Sequence, residues 1–106
     1  MIHEISPLEL DRMLKQKDDF ILLDVRTFTE VMISKIEGSI HIPMNELTER
    51  LNELNKNKEI IVQCKLGKRS AKVCEFLMNN NFKNVKNLAG GILAWSREID
   101  PSVTVL

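Results

Sequence analysis

Short apolar runs alternate with amphipathic stretches along this chain, and this alternation limits the possible folds more than any other feature. Residues 20–25, FILLDV, form a continuous run typical of a strand buried on both faces. Similar short runs predict strands at 2–5, 39–42, 59–63 and 84–88. Because strands that alternate with helices form βαβ units, the sequence predicts an α/β fold: a small doubly wound, mostly parallel five-stranded sheet with helices on both faces.

Capping residues and apolar spacing predict the helices between these strands. The sequence SPLE at residues 6–9 is a capping box for a helix to about Lys15, and TFTE at residues 27–30 opens another towards Ser34. Asn45 is expected to cap a third helix with an apolar face. Residues at helical spacing are Leu47, Leu51 and Leu54 in the third helix, then Ser70, Val73, Cys74 and Leu77 in a fourth, with a fifth expected over residues 92–98.

Length and charge balance narrow the class of protein. The 106 residues fit a single domain over residues 1–106. Lys plus Arg and Asp plus Glu both number 15, so the net charge of zero points neither to nucleic acid nor to a membrane as partner. The N-terminus lacks the features of a signal peptide, and no apolar run approaches the ~20 residues that span a bilayer. We therefore expect a cytoplasmic protein whose two cysteines are not a disulfide scaffold.

One segment, CKLGKRS at residues 64–70, combines a cysteine with the features of an anion-binding loop. Cys64 directly follows an expected buried strand, and folds of this type bind ligands beyond the carboxyl ends of their strands. Gly67 permits a tight turn in which successive backbone N–H groups point inward. The helix that follows adds its N-terminal dipole and unpaired amides at the same place.

The same segment concentrates positive charge in an otherwise neutral chain, through Lys65, Lys68 and Arg69. Nearby cations and helix N-termini lower the pKa of a thiol below its usual value of ~8.5. The sequence therefore predicts that Cys64 is a thiolate at neutral pH. A thiolate activated by its loop needs no adjacent histidine in order to act as a nucleophile.

Four motifs together resemble the rhodanese-like sulfurtransferase family. CKLGKRS at residues 64–70 resembles the family's active-site loop, Cys-x-x-Gly-x-Arg-Ser. LDVR at 23–26 resembles its Asp-Val-Arg, IEGSIHIP at 36–43 its Ile-x-Gly-Ala-x-Asn-Ile-Pro, and LAGGILAW at 88–95 its Leu-x-Gly-Gly-x-x-x-Trp. The four motifs occur in the family's order on an alternating α/β pattern, so together they make a strong signal.

The resemblance implies that a sulfane sulfur is transferred in two steps through a persulfide on Cys64. The thiolate would attack the outer sulfur of a small anionic donor such as thiosulfate, and cyanide, a small thiol or a protein thiol would then accept that sulfur. No metal or organic cofactor is implied. In this reading Lys68 and Arg69 attract the donor, and Ser70 either donates a hydrogen bond to the sulfur or caps the helix. The implied substrate-binding residues are Lys65, Leu66, Gly67, Lys68, Arg69 and Ser70.

Three positions depart from the family's pattern. Lys65 stands where Arg is frequent, so that a point charge replaces a bidentate grip. Leu66 is apolar where polar residues are common, and His41 replaces the usual Asn. None of the three is the nucleophile, but they leave open whether the donor is thiosulfate or a protein or organic persulfide.

Several polar residues also have simpler structural interpretations. Asp24 and Arg26, at the end of a strand, are expected to brace the loops by an ion pair and to influence the active loop only indirectly. Arg69 could pair with a carboxylate instead of binding the donor. Cys74 is expected to be a core residue, because it shares a helical stripe with apolar side chains. The two histidines lack the spacing of metal ligands, so no metal site is predicted.

Two other functions compete with sulfur transfer. Cysteine-dependent phosphatases and arsenate reductases also place a cysteine in an anion-binding loop, but they have one residue more between Cys and Arg than lies between Cys64 and Arg69. The shorter loop makes a tighter nest and disfavours a tetrahedral phosphate. A non-catalytic interaction module is the other alternative, and the retention of Cys64 in a basic loop argues against it. Catalysis itself leaves open a detoxifying enzyme or a relay between proteins.

Overall fold

The computed structural model describes residues 2–106, so that Met1, the first residue of the predicted domain, lies outside the described part. Every pair of neighbouring strands in its single five-stranded sheet is parallel, and the strand order is β1-β5-β4-β2-β3. The strands are β1 (His3–Ile5), β2 (Phe20–Asp24), β3 (Ile40–His41), β4 (Glu59–Gln63) and β5 (Val85–Leu88). The predicted five-stranded α/β fold is confirmed.

Helices cover both faces of this sheet, as the alternating pattern predicts. They are α1 (Pro7–Lys15), α2 (Phe28–Ile33), α3 (Leu47–Arg50), α4 (Lys68–Asn79) and α5 (Gly91–Glu98). On one face, Leu10 and Trp95 anchor α1 and α5 in an apolar cluster. On the other face, Leu47 and Leu77 anchor α3 and α4 in a second cluster. Within residues 2–106, none of the helices has the length and the apolar character needed to cross a membrane.

The two capping boxes predicted from the sequence differ in completeness. The Ser6 hydroxyl accepts a hydrogen bond from the Glu9 amide at 3.1 Å at the start of α1. At the start of α2, Thr27 accepts from the Glu30 amide at 3.2 Å, and the Glu30 carboxylate accepts from the Thr27 amide at 3.0 Å. The second box therefore fixes the Glu30 side chain at the start of α2, where its carboxylate faces Arg69 of α4.

The expectation that Asn45 caps a helix is wrong. Asn45 lies inside a 3₁₀ turn (Met44–Glu46) that leads directly into α3, and a second 3₁₀ turn (Leu51–Glu53) follows. No side chain caps this segment at its start, which follows Pro43. The segment is held instead by the buried Leu47, by the partly buried Leu51, and by Arg50, which pairs with Glu46 at 3.0 Å and with Glu53 at 2.8 Å.

The parallel register brings the loops that follow β2, β4 and β5 to one edge of the sheet. Asp24, the last residue of β2, is aligned with Gln63, the last residue of β4. Val62 of β4 is aligned with Asn87 of β5, one residue before the end of that strand. Because β4 is the central strand, the residue that follows it has neighbours on both sides, and that residue is Cys64.

Candidate active site

Cys64 is the first residue after β4, and its side chain lies in the apolar cluster that α4 covers. It packs there with Val62 and Val73, and only 1% of the residue is exposed. The chain turns sharply after Cys64 and enters the 12-residue helix α4 at Lys68. The sulfur therefore lies close beneath the N-terminus of a helix, where unpaired backbone amides are available.

Hydrogen-bond donors from the loop and the helix surround the sulfur of Cys64. The Gly67 amide donates to Sγ at 3.1 Å and the Ser70 amide at 3.4 Å, while the Ser70 hydroxyl lies 3.3 Å from Sγ. Burial raises the pKa of the Cys64 thiol, but hydrogen bonds from Ser70, Gly67 and Leu66 lower it by more. The pKa of Cys64 is consequently below its ordinary value, and these donors stabilise the thiolate.

The conformation of the loop depends on a close approach by the start of α5. The Ile92 amide donates to the Cys64 carbonyl at 2.8 Å, and the Leu93 amide donates to the Lys65 carbonyl at 3.1 Å. A Cβ on Gly91 would lie 2.3 Å from the Lys65 carbonyl oxygen and 2.5 Å from that of Cys64. Gly91 is therefore required for α5 to hold the two carbonyls on the side away from the sulfur.

The rim of the loop is both cationic and apolar. Lys68 is exposed, Lys65 is half-buried, and the Leu66 side chain is 52% exposed. Among residues 2–106, neither lysine takes part in an ion pair. The pKa of Cys64 is lowered mainly by hydrogen bonds, and neither lysine is among the main causes, in contrast to the role expected of these cations from the sequence.

Arg69 is paired with a carboxylate rather than directed at the sulfur. Its Nη1 and Nη2 atoms donate to Oε1 and Oε2 of Glu30 at 2.7 and 2.9 Å, a bidentate pair between α4 and the start of α2. The Arg69 guanidinium is the main cause that holds the pKa of Glu30 at about 2. The sequence left open whether Arg69 binds the donor or pairs with a carboxylate. In the structure it pairs with the carboxylate of Glu30.

Asp24 and Arg26 form a buried ion pair at the end of β2, as expected. The Arg26 Nη2 atom donates to Asp24 at 2.8 Å and to the Ser34 carbonyl at 2.7 Å, and the Arg26 amide donates to the same carboxylate at 3.1 Å. The His41 ring nitrogen lies 2.7 Å from the Arg26 carbonyl. The pair thus braces the loop between β2 and α2, the helix on which Glu30 lies, and none of the hydrogen bonds of Arg26 named above reaches Cys64.

Asn87 belongs to the site but does not stand out in the sequence. It is 1% exposed and lies on β5, where its Nδ2 atom donates to the Gly67 carbonyl at 3.0 Å. Its Oδ1 atom accepts from the Ser70 hydroxyl at 2.5 Å. The only signal for it in the sequence is a polar residue one position before the end of an apolar strand, next in the sheet to the strand that precedes Cys64.

Cys74 is a core residue, as its helical spacing predicts. It is fully buried on α4 in the same apolar cluster as Val73 and Leu77, and it is a free thiol. Burial raises the pKa of Cys74 to about 12, so this thiol stays protonated at neutral pH. The two cysteines therefore differ in the property that decides thiol reactivity.

Comparison with known proteins gives the family of this chain. A sequence model of the rhodanese-like domain matches residues 6–98. A sulfurtransferase of Allochromatium vinosum is 34% identical over 103 residues, which make up 97% of this chain and 96% of the relative. YtwF of Bacillus subtilis is 37% identical over 100 residues, or 94% of this chain and 96% of the relative. The crystal structure of a rhodanese-like domain protein from Staphylococcus aureus has a TM-score of 0.86 and 32% identity, with 99% of each chain covered.

The Staphylococcus aureus structure therefore shares the fold of this chain along nearly its whole length. The match of the domain model extends over nearly the whole chain, and the Allochromatium relative is a single-domain sulfurtransferase of similar length. The chain belongs to the rhodanese-like family of sulfurtransferases.

Proposed function

We propose that this protein transfers a sulfane sulfur from an anionic donor to a thiophilic acceptor through a persulfide on Cys64. The observation that carries the proposal is the set of donors on one sulfur: the amides of Gly67 and Ser70 both point at Sγ, at 3.1 and 3.4 Å. Such donors stabilise negative charge that is present on the thiolate and returns whenever Cys64 leaves as a thiolate. Both cysteines are free thiols, which suits the reducing cytoplasm expected from the sequence.

The first step forms the persulfide. The Cys64 thiolate attacks the outer sulfur of the donor, so that a bond forms between Sγ and that sulfur. The bond between this sulfur and the rest of the donor breaks, and its electron pair leaves with the donor, as sulfite in the case of thiosulfate. The negative charge of the persulfide then resides on the outer sulfur, and in this proposal the amides of residues 65–69 stabilise it.

The second step returns the cysteine to its starting state. An acceptor thiolate or cyanide attacks the outer sulfur, and the bond from that sulfur to Sγ breaks with its electron pair going to Cys64. The amides of Gly67 and Ser70 stabilise the thiolate as it leaves. No metal or redox partner is needed to balance either step, because each one is a displacement at sulfur.

The rim of the site supports a preference among donors. Arg69 is bound by Glu30, so Lys65 and Lys68 are the loop cations left to attract an anion. Leu66 offers an apolar contact next to them. We propose that this combination favours an organic or protein persulfide, which has one negative charge near an apolar group, over the compact dianion thiosulfate. Exposed apolar side chains contribute to association by removing their surface from water.

The ion pair of Arg69 also bears on the phosphatase alternative. A cysteine-dependent phosphatase needs an arginine that grips the oxygens of the phosphoryl group, and bidentate contacts are the strong form of that grip. Both terminal nitrogens of Arg69, Nη1 and Nη2, donate hydrogen bonds to the Glu30 carboxylate. This arrangement supports sulfur transfer rather than phosphate hydrolysis, in agreement with the short spacing of the motif.

Steady-state turnover of two donors by matched cysteine variants tests the proposal. Thiosulfate with cyanide and a low-molecular-weight organic persulfide with a thiol would be compared for the wild type, Cys64→Ser and Cys74→Ser. We expect turnover by the wild type and Cys74→Ser, none by Cys64→Ser, and a higher kcat/KM for the organic persulfide. Residual turnover in Cys64→Ser would contradict the proposed nucleophile, whereas a higher kcat/KM for thiosulfate would contradict only the donor preference.

A further inference from the structure

All polar atoms of the Asn87 side chain are engaged, and their partners fix its orientation. Nδ2 donates to the Gly67 carbonyl at 3.0 Å and to the Glu4 carboxylate at 3.3 Å. A carbonyl and a carboxylate only accept hydrogen bonds, so the amide nitrogen has to face them. The amide oxygen Oδ1 consequently faces the other way, towards Ser70 of the active-site helix.

Ser70 has one hydroxyl proton and two neighbours that can take it as acceptors. Its Oγ atom lies 2.5 Å from Oδ1 of Asn87 and 3.3 Å from Sγ of Cys64. Because Oδ1 carries no proton, the shorter contact requires Ser70 to donate its proton to Asn87. The hydroxyl oxygen then directs a lone pair towards the sulfur. It can accept a hydrogen bond from a thiol S–H in this orientation, but it cannot donate one to a thiolate.

We propose that Asn87 is a positioning residue that holds the hydroxyl proton of Ser70 away from Cys64 until negative charge develops on Sγ. When Sγ is a thiolate, the hydroxyl rotates, gives up its hydrogen bond to Oδ1 and donates to the sulfur instead. No proton changes owner in this rotation, since it remains on Ser70 throughout. Asn87 therefore competes with the thiolate for a single donor, and the competition raises the pKa of Cys64 relative to a site in which Ser70 is free.

The consequence for catalysis rests on the proposed function. In the persulfide, Sγ is bonded to the outer sulfur and the charge resides on the latter, so the Ser70 proton remains with Asn87. When the acceptor attacks, the sulfur–sulfur bond breaks and Sγ receives the electron pair. The Ser70 hydroxyl then rotates and donates to the leaving thiolate. Asn87 thus holds the Ser70 proton until the step in which Cys64 leaves.

The pH dependence of Cys64 alkylation by iodoacetamide tests the role of Asn87. Asn87→Leu is similar in size and removes Oδ1, while the Gly67 carbonyl keeps its hydrogen bond from the Ala71 amide at 3.2 Å. We expect the midpoint of the pH profile to fall by about one pH unit, because a freed hydroxyl stabilises the thiolate at no cost to another bond. Asn87→Asp retains an acceptor and adds negative charge, so its midpoint is expected to rise.

The Ser70→Ala background separates this mechanism from a merely structural effect. Without the hydroxyl, Asn87→Leu has no donor to release, so the fall in the midpoint should disappear. A midpoint that is unchanged or raised in Asn87→Leu, or a fall that persists in the Ser70→Ala background, would overturn the proposal. The modified cysteine is identified from peptide masses, since Cys74 is a second thiol.

A single variant keeps the proposal testable if Asn87→Leu does not fold. In Ser70→Ala alone, the thiolate loses a hydrogen bond that it obtained only at the expense of Asn87, so the midpoint should rise by less than about one pH unit. A larger rise would mean that Asn87 does not compete, and would refute the proposal. Alkylation needs no sulfur donor, so these results stand apart from the sulfurtransferase proposal: a protein with the expected shifts that accepts no sulfur would contradict only the latter.

Discussion

Replacing Gly91 with alanine should damage the active-site loop, although residue 91 does not touch the sulfur. The new Cβ would lie 2.3 Å from the Lys65 carbonyl oxygen, and backbone atoms have to separate by at least about 0.7 Å before the contact reaches 3.0 Å. Gly91 also has a φ of +64°, which costs a residue with a Cβ about 1 kcal/mol. Separation weakens the hydrogen bonds from α5 to the carbonyls of Cys64 and Lys65, each worth about 1 kcal/mol.

With the strain of overpacking included, we expect Gly91→Ala to lower the free energy of unfolding by about 3 to 5 kcal/mol. Gly38 provides the matched control, since its φ of +89° is also left-handed but a Cβ there would meet nothing within 4 Å. Gly38→Ala should therefore lower the free energy of unfolding by only about 1 to 2 kcal/mol. Urea unfolding followed by the fluorescence of the single tryptophan, Trp95, measures both variants.

Iodoacetamide alkylation adds a readout at the site itself. Because the peptides of Cys64 and Lys65 shift in Gly91→Ala, the amides of Leu66 and Gly67 further along the loop should be displaced from Sγ, and Cys64 should react more slowly at neutral pH. Gly38→Ala should react as the wild type does. If both alanine variants lost a similar free energy of unfolding, within about 1 kcal/mol, and alkylated alike, the support of the loop by α5 would be refuted.

Three further perturbations probe the charged residues around the site. Arg26→Met leaves the buried Asp24 carboxylate without its partner, so the free energy of unfolding should fall by about 3 to 5 kcal/mol in urea titrations; a change below 1 kcal/mol would contradict the bracing role. The pKa of Glu30 is about 2 instead of 4.5, so its contribution to stability is complete above pH 4.5 and is lost as the pH falls towards 2; the stability of Glu30→Gln should depend less steeply on pH in that window, and an unchanged slope would count against the pair with Arg69. Lys68→Ala should raise KM for an anionic donor on the order of two- to fivefold at low salt and less at high salt, whereas an effect independent of salt would contradict electrostatic attraction.

The fold was predictable because its signals are local. A continuous apolar run identifies β2 as a buried strand, and the capping boxes at Ser6 and Thr27 mark where α1 and α2 begin. Asn45 shows the limit of such signals. Asparagine is favoured at helix caps, but Asn45 lies within a 3₁₀ turn, and no side chain caps this turn where it begins after Pro43. Propensity gives the type of an element more reliably than its boundary.

The nucleophile was also predictable, but the partners of its loop were not. Cys64, Gly67 and Ser70 lie within seven residues of the sequence, so their arrangement follows from one turn and one helix. Asn87 and Glu30 reach the same site from β5 and α2, and their contacts depend on strand order and on side-chain direction. A capping box predicts the place of Glu30 on its helix, but only the packed structure reveals that the carboxylate also holds Arg69.

The central claim is that Cys64 carries the transferred sulfur, and intact-mass measurement tests it most directly. The wild type and Cys64→Ser would each be incubated with thiosulfate or an organic persulfide. Their intact masses would then be measured by mass spectrometry before and after addition of cyanide. We predict a gain of about 32 Da, one sulfur atom, on the wild type alone, and its removal by cyanide. No gain from either donor, in a protein whose Cys64 is alkylated with a lowered pKa, would contradict the sulfurtransferase account.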